Sequence, residues 1–267
     1  MYYWLFKWFL FAPVLKAVCR PWLEGAENIP AKGAAVLVSN HLSYGDTVIL
    51  PAIVERKITF PAKAELFRGT SFGGKVVSWF LRKVGMLPMD RSGGRASASS
   101  VDHVGDILRS GEIVGIYAEG TRSPDGRLYK GKTGVARLVL GHQVPVLPVG
   151  TVSTQFVKGW FGIPFMRRPG IRIGKPLDFS QYFDQPNNRE VLRWVTDEIM
   201  AAVQELTGQE YVDVYATSIK SGALEGRNIE EKVMVRPGHG NRVPPTTAEL
   251  TAQAEETTAG PDATERP

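Results

Sequence analysis

The chain has 267 residues, of which 43% are hydrophobic, and its formal net charge is +5. This length fits one domain with added segments, and this hydrophobic fraction excludes a chain that is disordered throughout. The single cysteine, Cys19, excludes an intrachain disulfide. The charge is uneven, because residues 244–267 have a net charge of −4 and leave +9 on the rest of the chain. A basic body favours an anionic partner: a nucleic acid, a membrane surface or a phosphorylated substrate.

The first segment, residues 1–23, is almost entirely apolar and rich in aromatic side chains. Lys7 and Pro13 interrupt the apolar run and Lys16 and Arg20 follow it, so a helix that crosses a bilayer is not expected. The pattern also lacks the basic start and the cleavage site of a signal peptide. Aromatic and basic side chains mixed with leucine are typical of a helical membrane anchor lying in the interface. The alternative is a pair of core helices packed on the domain.

Strands and helices alternate in the pattern of the chain that follows. The predicted strands are 34–39, 57–61, 112–117, 144–150 and an edge strand at 171–173, and the predicted helices are 44–54, 66–84, 95–109, 132–140 and 188–206. This alternation predicts one α/β domain over residues 24–215, with a mostly parallel sheet flanked by helices. A partly ordered extension is expected at 216–243. A disordered acidic tail is expected at 244–267, where Pro, Thr, Ala and Glu predominate.

A polar segment, residues 40–46 (NHLSYGD), follows the first predicted strand of this domain. On one helix His41 and Asp46 would point about 140° apart, so they can meet only if His41 lies in the loop and Asp46 in the first helical turn. The imidazole can then accept a proton from an attacking hydroxyl while the carboxylate fixes its tautomer. The alternative is that Asp46 only caps the helix and that His41 is an ordinary loop histidine.

A second polar segment, residues 119–123 (EGTRS), follows the predicted strand 112–117. Its glycine, hydroxyls and arginine can hold a phosphate through backbone amides and a guanidinium group. The alternative is a surface turn with an internal Glu119–Arg122 ion pair. The segment lacks Gly-Lys-Ser/Thr, which excludes a nucleotide P-loop.

Two further segments, GMLPMDR (85–91) and VPVLPVG (144–150), give weaker signals. Arg91 offers another anion contact, although arginines in loops are usually solvated. The second segment is an apolar strand between prolines, for which sheet core is the simpler interpretation.

In this order and at these spacings, the four segments resemble the four signature blocks of the glycerolipid acyltransferase family, whose best-known members are the 1-acylglycerol-3-phosphate acyltransferases. The resemblance covers about residues 39–150, and the intervening AKAEL (62–66) is also similar. One departure is Tyr117-Ala118, where the family often has Phe-Pro. Carried over by position, the resemblance implies that His41 is the catalytic base and that Asp46 supports it. It also implies an acceptor phosphate site formed by Lys63, Arg91, Glu119, Gly120, Thr121 and Arg122.

The implied reaction moves a fatty acyl group from acyl-CoA or acyl carrier protein to the free hydroxyl of lysophosphatidic acid, giving phosphatidic acid. The four histidines lack metal-ligand spacing, and no metal or other cofactor is expected. Because the lipid substrates lie in a bilayer, we expect the enzyme on the cytoplasmic face of the cell membrane. The basic amphipathic helix at 66–84 is expected to line the acyl groove or enter lipid through Phe72, Val77 and Phe80.

Three other functions stay open at this point. One is the same chemistry on another lysophospholipid or a glycolipid. Another is a lipid or thioester hydrolase in which His41 activates water, and the third is a non-catalytic membrane-binding protein. A nucleic-acid partner is not expected, since the sequence has no recognisable binding module or continuous basic face.

Overall fold

The structure is a computed structural model that describes residues 2–89, 103–159, 162 and 164–258. Its strands are β1 (Trp22–Glu24), β2 (Ala35–Ser39), β3 (Ile58–Thr59), β4 (Pro61–Lys63), β5 (Leu87–Met89), β6 (Ile113–Tyr117), β7 (Leu128–Tyr129), β8 (Val146–Val152), β9 (Phe156–Lys158), β10 (Pro164–Met166), β11 (Gly170–Ile173), β12 (Tyr211–Val212) and β13 (Val233–Met234). Its helices are α1 (Tyr2–Phe6), α2 (Ala12–Val18), α3 (Asp46–Ile53), α4 (Phe72–Lys83), α5 (103–109), α6 (Gly134–His142), α7 (Arg189–Thr207), α8 (Ala216–Lys220) and α9 (Thr247–Thr258). A π-helical turn, Lys7–Phe11, joins α1 to α2, and short 3₁₀ turns lie at Ala26–Asn28, Ala64–Phe67, Ser180–Tyr182 and Ile229–Lys232.

Six strands form the central sheet in the order β1-β11-β8-β2-β6-β3. Strands β3, β6, β2 and β8 are parallel to one another, whereas β11 runs antiparallel to β8. Every residue of β2 is buried, because the strand has a neighbour on each side and a layer of helices on each face. Val36 and Val38 pack towards α6 and α7, and Ala35 and Leu37 pack towards α2 and α3. The predicted α/β fold with a mostly parallel sheet is therefore confirmed.

The edge of this sheet differs from the prediction. Strand β11 is not an edge strand, because β1 pairs with it in parallel, with Trp22 opposite Gly170. A Cβ atom at Gly170 would lie 2.0 Å from the indole of Trp22, so glycine allows the ring to cover this strand. The predicted segment 1–23 therefore ends inside the sheet, where its last two residues form part of β1.

Two helices also differ from the prediction. Helix α4 begins at Phe72 and not at 66, because the Ser71 side chain accepts a hydrogen bond from the amide of Gly74 and caps it. Helix α9, Thr247–Thr258, lies within the segment that the composition predicts to be a disordered tail. Its start is a capping box, in which Thr246 donates to the Glu249 carboxylate and accepts from the Glu249 amide. Residues 259–267 lie outside the described part of the chain.

The N-terminal segment packs on α3 and α4 along one side. Lys7, which interrupts the apolar run of this segment, is buried, and its Nζ donates to the carbonyl oxygens of Val54 and Glu55 after α3. Burial lowers the pKa of Lys7 to about 8. Phe80 was expected to line an acyl groove or to enter lipid, and its ring packs against Phe6 and Phe11.

The other side of this unit is exposed and apolar. We call it the apolar face, and it consists of Trp4, Leu5, Trp8, Phe9 and Leu10 from the N-terminal segment and Phe72, Val76, Val77 and Trp79 from α4. The Phe6 ring joins its two parts through an edge contact with Trp79 at 6.0 Å between ring centroids. Among the residues that the structure describes, no helix is long and apolar enough to cross a membrane.

Candidate active site

Three parallel strands, β2, β6 and β8, end at one edge of the central sheet, and each is followed two residues later by a polar side chain. These residues are His41 after β2, Glu119 after β6 and Thr154 after β8. Ser39, the last residue of β2, lies opposite Tyr117, the last residue of β6, and opposite Val149, three residues before the end of β8. Loops at the carboxyl ends of parallel strands are where open α/β sheets bind ligands.

His41 and Asp46 meet as the spacing predicted, with His41 in the loop and Asp46 as the first residue of α3. His41 Nδ1 lies 2.8 Å from Asp46 Oδ2, which also accepts from the amides of Leu42 at 2.6 Å and Ser43 at 2.9 Å. Thr154 Oγ1 donates to the other oxygen, Oδ1. Because an ionised carboxylate only accepts, Nδ1 carries the proton and Nε2 keeps a lone pair in neutral imidazole.

Asp46 is completely buried, and these four hydrogen bonds match the acceptor capacity of a carboxylate. The amides it accepts from lie in the loop before α3, not in the first turn of the helix. Asp46 therefore fixes both the imidazole and the loop that carries it. The capping alternative is right in that Asp46 binds backbone amides, but those bonds and the imidazole contact occur together.

Gly45 lets this loop approach the chain that follows β8. A Cβ atom at Gly45 would lie 2.2 Å from the carbonyl oxygen of Thr154, which is closer than any side chain allows. The same carbonyl accepts from the Ser43 hydroxyl at 2.6 Å, and the amide of Gly45 donates to that hydroxyl at 2.8 Å. Residues 43–45 are thereby held against the end of β8.

An aromatic wall supports the imidazole. The Tyr117 ring stacks on His41 with 3.9 Å between centroids and 13° between planes, and Phe60 stacks on Tyr117 at 5.4 Å. The His41 side chain is 14% exposed, so one edge of the ring stays open to a substrate. Burial, and then the charge of Asp46, raises the pKa of Tyr117 well above its usual value. Tyr117 is therefore a neutral stacking partner at physiological pH.

Glu119 does not lie where an anion ligand would. Its side chain is completely buried, and its oxygens accept from the amide of His41 at 2.9 Å and the amide of Tyr129 at 3.2 Å. Burial raises the pKa of Glu119 to about 8, and the charge of Asp46 raises it too, although both amide bonds and Lys220 oppose the shift. The prediction that Glu119 contacts a phosphate is corrected, because its carboxyl group faces inward and holds the His41 backbone.

The rest of the EGTRS loop lies nearer the surface. Gly120 has φ +74°, a left-handed conformation that favours glycine. The Arg122 guanidinium lies 3.8 Å from the centroid of the Tyr44 ring. The alternative ion pair with Glu119 is not formed between these two described residues. The amide of Ser123 donates to the carbonyl of His41 at 2.7 Å, so this loop and the His41 loop are joined.

The cations predicted to bind phosphate lie on two separate elements. Lys63 ends β4 and is exposed, and Arg122 belongs to the loop after β6. Both lie close enough to Lys220, in α8, to lower its pKa, although burial lowers it more. Lys220 Nζ donates to Thr121 Oγ1 at 3.3 Å and to the carbonyl of Arg122. Arg91 lies outside the described residues.

Four residues of this region were given no role from the sequence: Asn40, Thr154, Gln209 and Lys220. Asn40 is completely buried and joins β2 to β8, since its Oδ1 accepts from the Thr151 amide at 2.7 Å. Its Nδ2 donates to Gln209 Oε1 at 2.8 Å. The signal for Thr154 was its position after β8, which matches that of His41 after β2. No local signal indicates Gln209 or Lys220, because they follow the motif segments by some sixty residues or more.

A family model described as Acyltransferase matches residues 20–152. The 1-acyl-sn-glycerol-3-phosphate acyltransferase of Bacillus subtilis (strain 168) is 30% identical over 184 residues, which are 67% of this chain and 84% of that protein. The chain belongs to the acyltransferase family. Its motif segments, His41–Asp46 pair included, all fall within the matched range or at its end.

Two further relatives extend this assignment. The chloroplastic 1-acyl-sn-glycerol-3-phosphate acyltransferase LPAT1 of Arabidopsis thaliana is 30% identical over 133 residues, 49% of this acyltransferase and 36% of the plant protein. The chain therefore spans little more than a third of that relative. The crystal structure of the 1-acyl-sn-glycerophosphate (LPA) acyltransferase PlsC from Thermotoga maritima has a TM-score of 0.53 and 26% identity, covering 70% of this chain and 72% of that one.

Proposed function

We propose that this acyltransferase moves a fatty acyl group from a thioester to the free hydroxyl of 1-acylglycerol-3-phosphate and so forms phosphatidic acid. The observation that supports it most is the His41–Asp46 pair, fixed at 2.8 Å. Three cations, Lys63, Arg122 and Lys220, lie beside it. The pair suits removal of a hydroxyl proton, and the cations suit a phosphate on the same substrate. The relatives from Bacillus subtilis and Arabidopsis thaliana are both named for this acceptor, which agrees with the proposal.

In the proposed mechanism, His41 Nε2 accepts the hydroxyl proton as the acceptor oxygen bonds to the thioester carbonyl carbon. The carbonyl π electrons move to oxygen and form a tetrahedral oxyanion, which then collapses and breaks the C–S bond. The departing thiolate takes the proton from His41. Asp46 stabilises the imidazolium between these steps. General base catalysis by such a group contributes typically about 10²–10⁴-fold.

The acceptor headgroup is proposed to bind beside the EGTRS loop. Lys63 and Arg122 would contact its phosphate oxygens, with Thr121 as a hydroxyl donor. Arg91 is retained as a further proposed contact. Gly120 contributes through its backbone conformation, and Glu119 through the His41 amide that it holds. The reaction as written balances with the two substrates alone, so we propose no cofactor and no metal.

A peripheral membrane position is proposed because the substrates are lipids. The apolar face would enter the interface of the cytoplasmic leaflet, with the N-terminal segment as a monotopic anchor. Beneath it an apolar pocket lies between the N-terminal segment, α3 and α4, and it suits an acyl chain. Its apolar lining includes Tyr3, Phe6, Phe11, Val48, Pro51, Ala52, Ile58, Phe80, Val84 and Met86. The donor is proposed to be acyl-CoA or acyl carrier protein.

The test is thiol release from palmitoyl-CoA by detergent-purified protein, with and without 1-acylglycerol-3-phosphate. We expect release that depends on the acceptor and a loss of at least about 10³-fold in His41→Ala. The matched control is His239→Ala, because His239 is an exposed histidine of the C-terminal extension. Release without acceptor would instead indicate a hydrolase. Competing acceptors in one assay would reveal a preference for another headgroup.

A further inference from the structure

Helix α8 follows the 20–152 range matched by the family model, yet it packs against the candidate site. Strand β12 pairs in parallel with β7, with Val212 opposite Tyr129. The amide of Tyr129 donates to the buried Glu119 at 3.2 Å, so this small sheet is joined to the candidate site. Ala216, the first residue of α8, is completely buried in one apolar cluster with Tyr129 and Val212. The position of α8 relative to the EGTRS loop is therefore fixed by packing.

Lys220 ends α8 at the EGTRS loop. Its Nζ donates to Thr121 Oγ1 at 3.3 Å and to the carbonyl of Arg122. An ammonium group has three N–H donors, and these two bonds to described residues use two of them. Lys220 is exposed, so a ligand on the loop can reach its Nζ from solvent. The residue thus meets two members of the proposed headgroup site and can still contact a third group.

The local charge favours a dianion. Beyond the effect of burial, the charges of Lys63 and Arg122 lower the pKa of Lys220, and the charge of Glu119 raises it. Because the pKa of Glu119 is about 8, that group is mostly neutral at pH 7 and balances little of the positive charge. A phosphomonoester has a second pKa of about 6 and carries nearly two negative charges at pH 7, whereas a phosphodiester carries one. Three clustered cations therefore favour the monoester.

We propose that Lys220 binds the acceptor headgroup and selects phosphomonoester over phosphodiester lysolipids. This inference rests on the proposed function, and it adds to it a residue from outside the motif segments. The third Nζ donor would contact the oxygen that is unsubstituted only in a monoester. The two bonds to Thr121 and Arg122 would hold the ammonium group in the position where that contact forms.

The experiment measures steady-state kinetics in detergent micelles for wild-type protein, Lys220→Met, Lys220→Arg and the control Lys232→Met. Lys232 is an exposed lysine of the same C-terminal extension. The acceptors are 1-acylglycerol-3-phosphate and its phosphodiester analogue, 1-acylglycerophosphoglycerol. In Lys220→Met we expect KM for the monoester to rise roughly 10- to 50-fold, with kcat changed less than about threefold. The KM for the diester should change less than about threefold, and Lys220→Arg should recover most of the selectivity.

Three results would overturn the inference. An unchanged monoester KM in Lys220→Met, with an active wild-type protein, would overturn it alone and leave the proposed function intact. Equal losses on both acceptors, accompanied by a lower unfolding temperature, would mean that Lys220 only supports the loop. A wild-type protein that transfers nothing to the monoester would overturn the proposed function and this inference together.

Discussion

The floor of the candidate site, which consists of Asn40, Asp46 and Glu119 beneath His41, differs from the apolar face in the burial of its side chains. Asn40, Asp46 and Glu119 are all completely buried, and each hydrogen-bonds to chain segments from different strands. On the apolar face Phe9 is 79% and Phe72 is 85% exposed. The polar groups of the floor are hydrogen-bonded within the protein. The apolar face exposes surface that only another apolar phase can cover. The buried residues therefore hold His41 in place, whereas the apolar face is the surface proposed to contact lipid.

Breaking the floor at Asp46 should have the largest effect. Asp46→Asn keeps the side-chain shape but can donate to Nδ1, which would favour the tautomer with the proton on Nε2. We expect kcat to fall about 10³–10⁴-fold. The measurement is acceptor-dependent thiol release, with the exposed Asp106→Asn as a control. A loss of less than about tenfold, in a variant that folds normally, would contradict the role given to Asp46.

Glu119 provides the next largest effect, on stability. Its pKa is about 8 in the folded chain, above the usual value of 4.5, so the folded state holds an extra proton between those pH values. The free energy of unfolding should therefore fall as pH rises from about 5 to 8, with this group contributing roughly 3–5 kcal/mol. Glutamine cannot ionise, so the Glu119→Gln variant should lack this part of the fall in unfolding free energy with rising pH.

Urea unfolding in detergent at several pH values measures this difference. The control is Glu112→Gln, since Glu112 is partly exposed and paired with Lys57, and its stability should keep the wild-type pH dependence. Equal pH slopes in Glu119→Gln and wild type would show that Glu119 is ionised throughout the range. Glu119 would then add a negative charge to the floor of the site and would not be mostly neutral at pH 7.

The sequence predicted the backbone of the floor better than the direction of its side chains. Strands β2, β6 and β8 and the meeting of His41 with Asp46 follow from apolar runs and from helical geometry. The inward direction of the Glu119 side chain does not follow from the sequence, because a carboxylate among cations in a loop is usually solvated. It faces inward because Tyr129 donates to it from β7, a two-residue strand with no periodicity of its own.

The apolar face was predicted in outline, but its membership needed the structure. The aromatic composition of residues 1–23 and the stripe at 66–84 indicated exposed apolar surface. They could not show that Lys7 turns inward to the end of α3 or that Phe80 packs against the N-terminal segment. Such choices depend on contacts between segments far apart in the chain.

Replacing Phe72, Val76 and Trp79 with Asp tests whether the apolar face binds lipid. These side chains lie on one side of α4 and are all exposed, so the unfolding temperature in detergent should change little. Binding to anionic liposomes, measured by cosedimentation, should weaken at least about tenfold, because each substitution removes apolar contact and adds a negative charge. The control replaces Val235, Val243 and Leu250, which are exposed elsewhere. Equal binding by both triple variants would remove the membrane role from this face.

The smallest effect is expected at Tyr117, where the floor meets the aromatic wall. Its hydroxyl is buried without a hydrogen-bond partner among the described residues, so Tyr117→Phe removes an unsatisfied group and keeps the ring on His41. We expect the free energy of unfolding to rise by about 1 kcal/mol and kcat to change less than about threefold. The matched control is Tyr211→Phe, because the buried Tyr211 hydroxyl donates to Asp213 at 2.8 Å and its loss should destabilise by a similar amount. If both variants lose stability equally in urea unfolding, the Tyr117 hydroxyl has a partner of its own, and the wall is held in the same way as the floor.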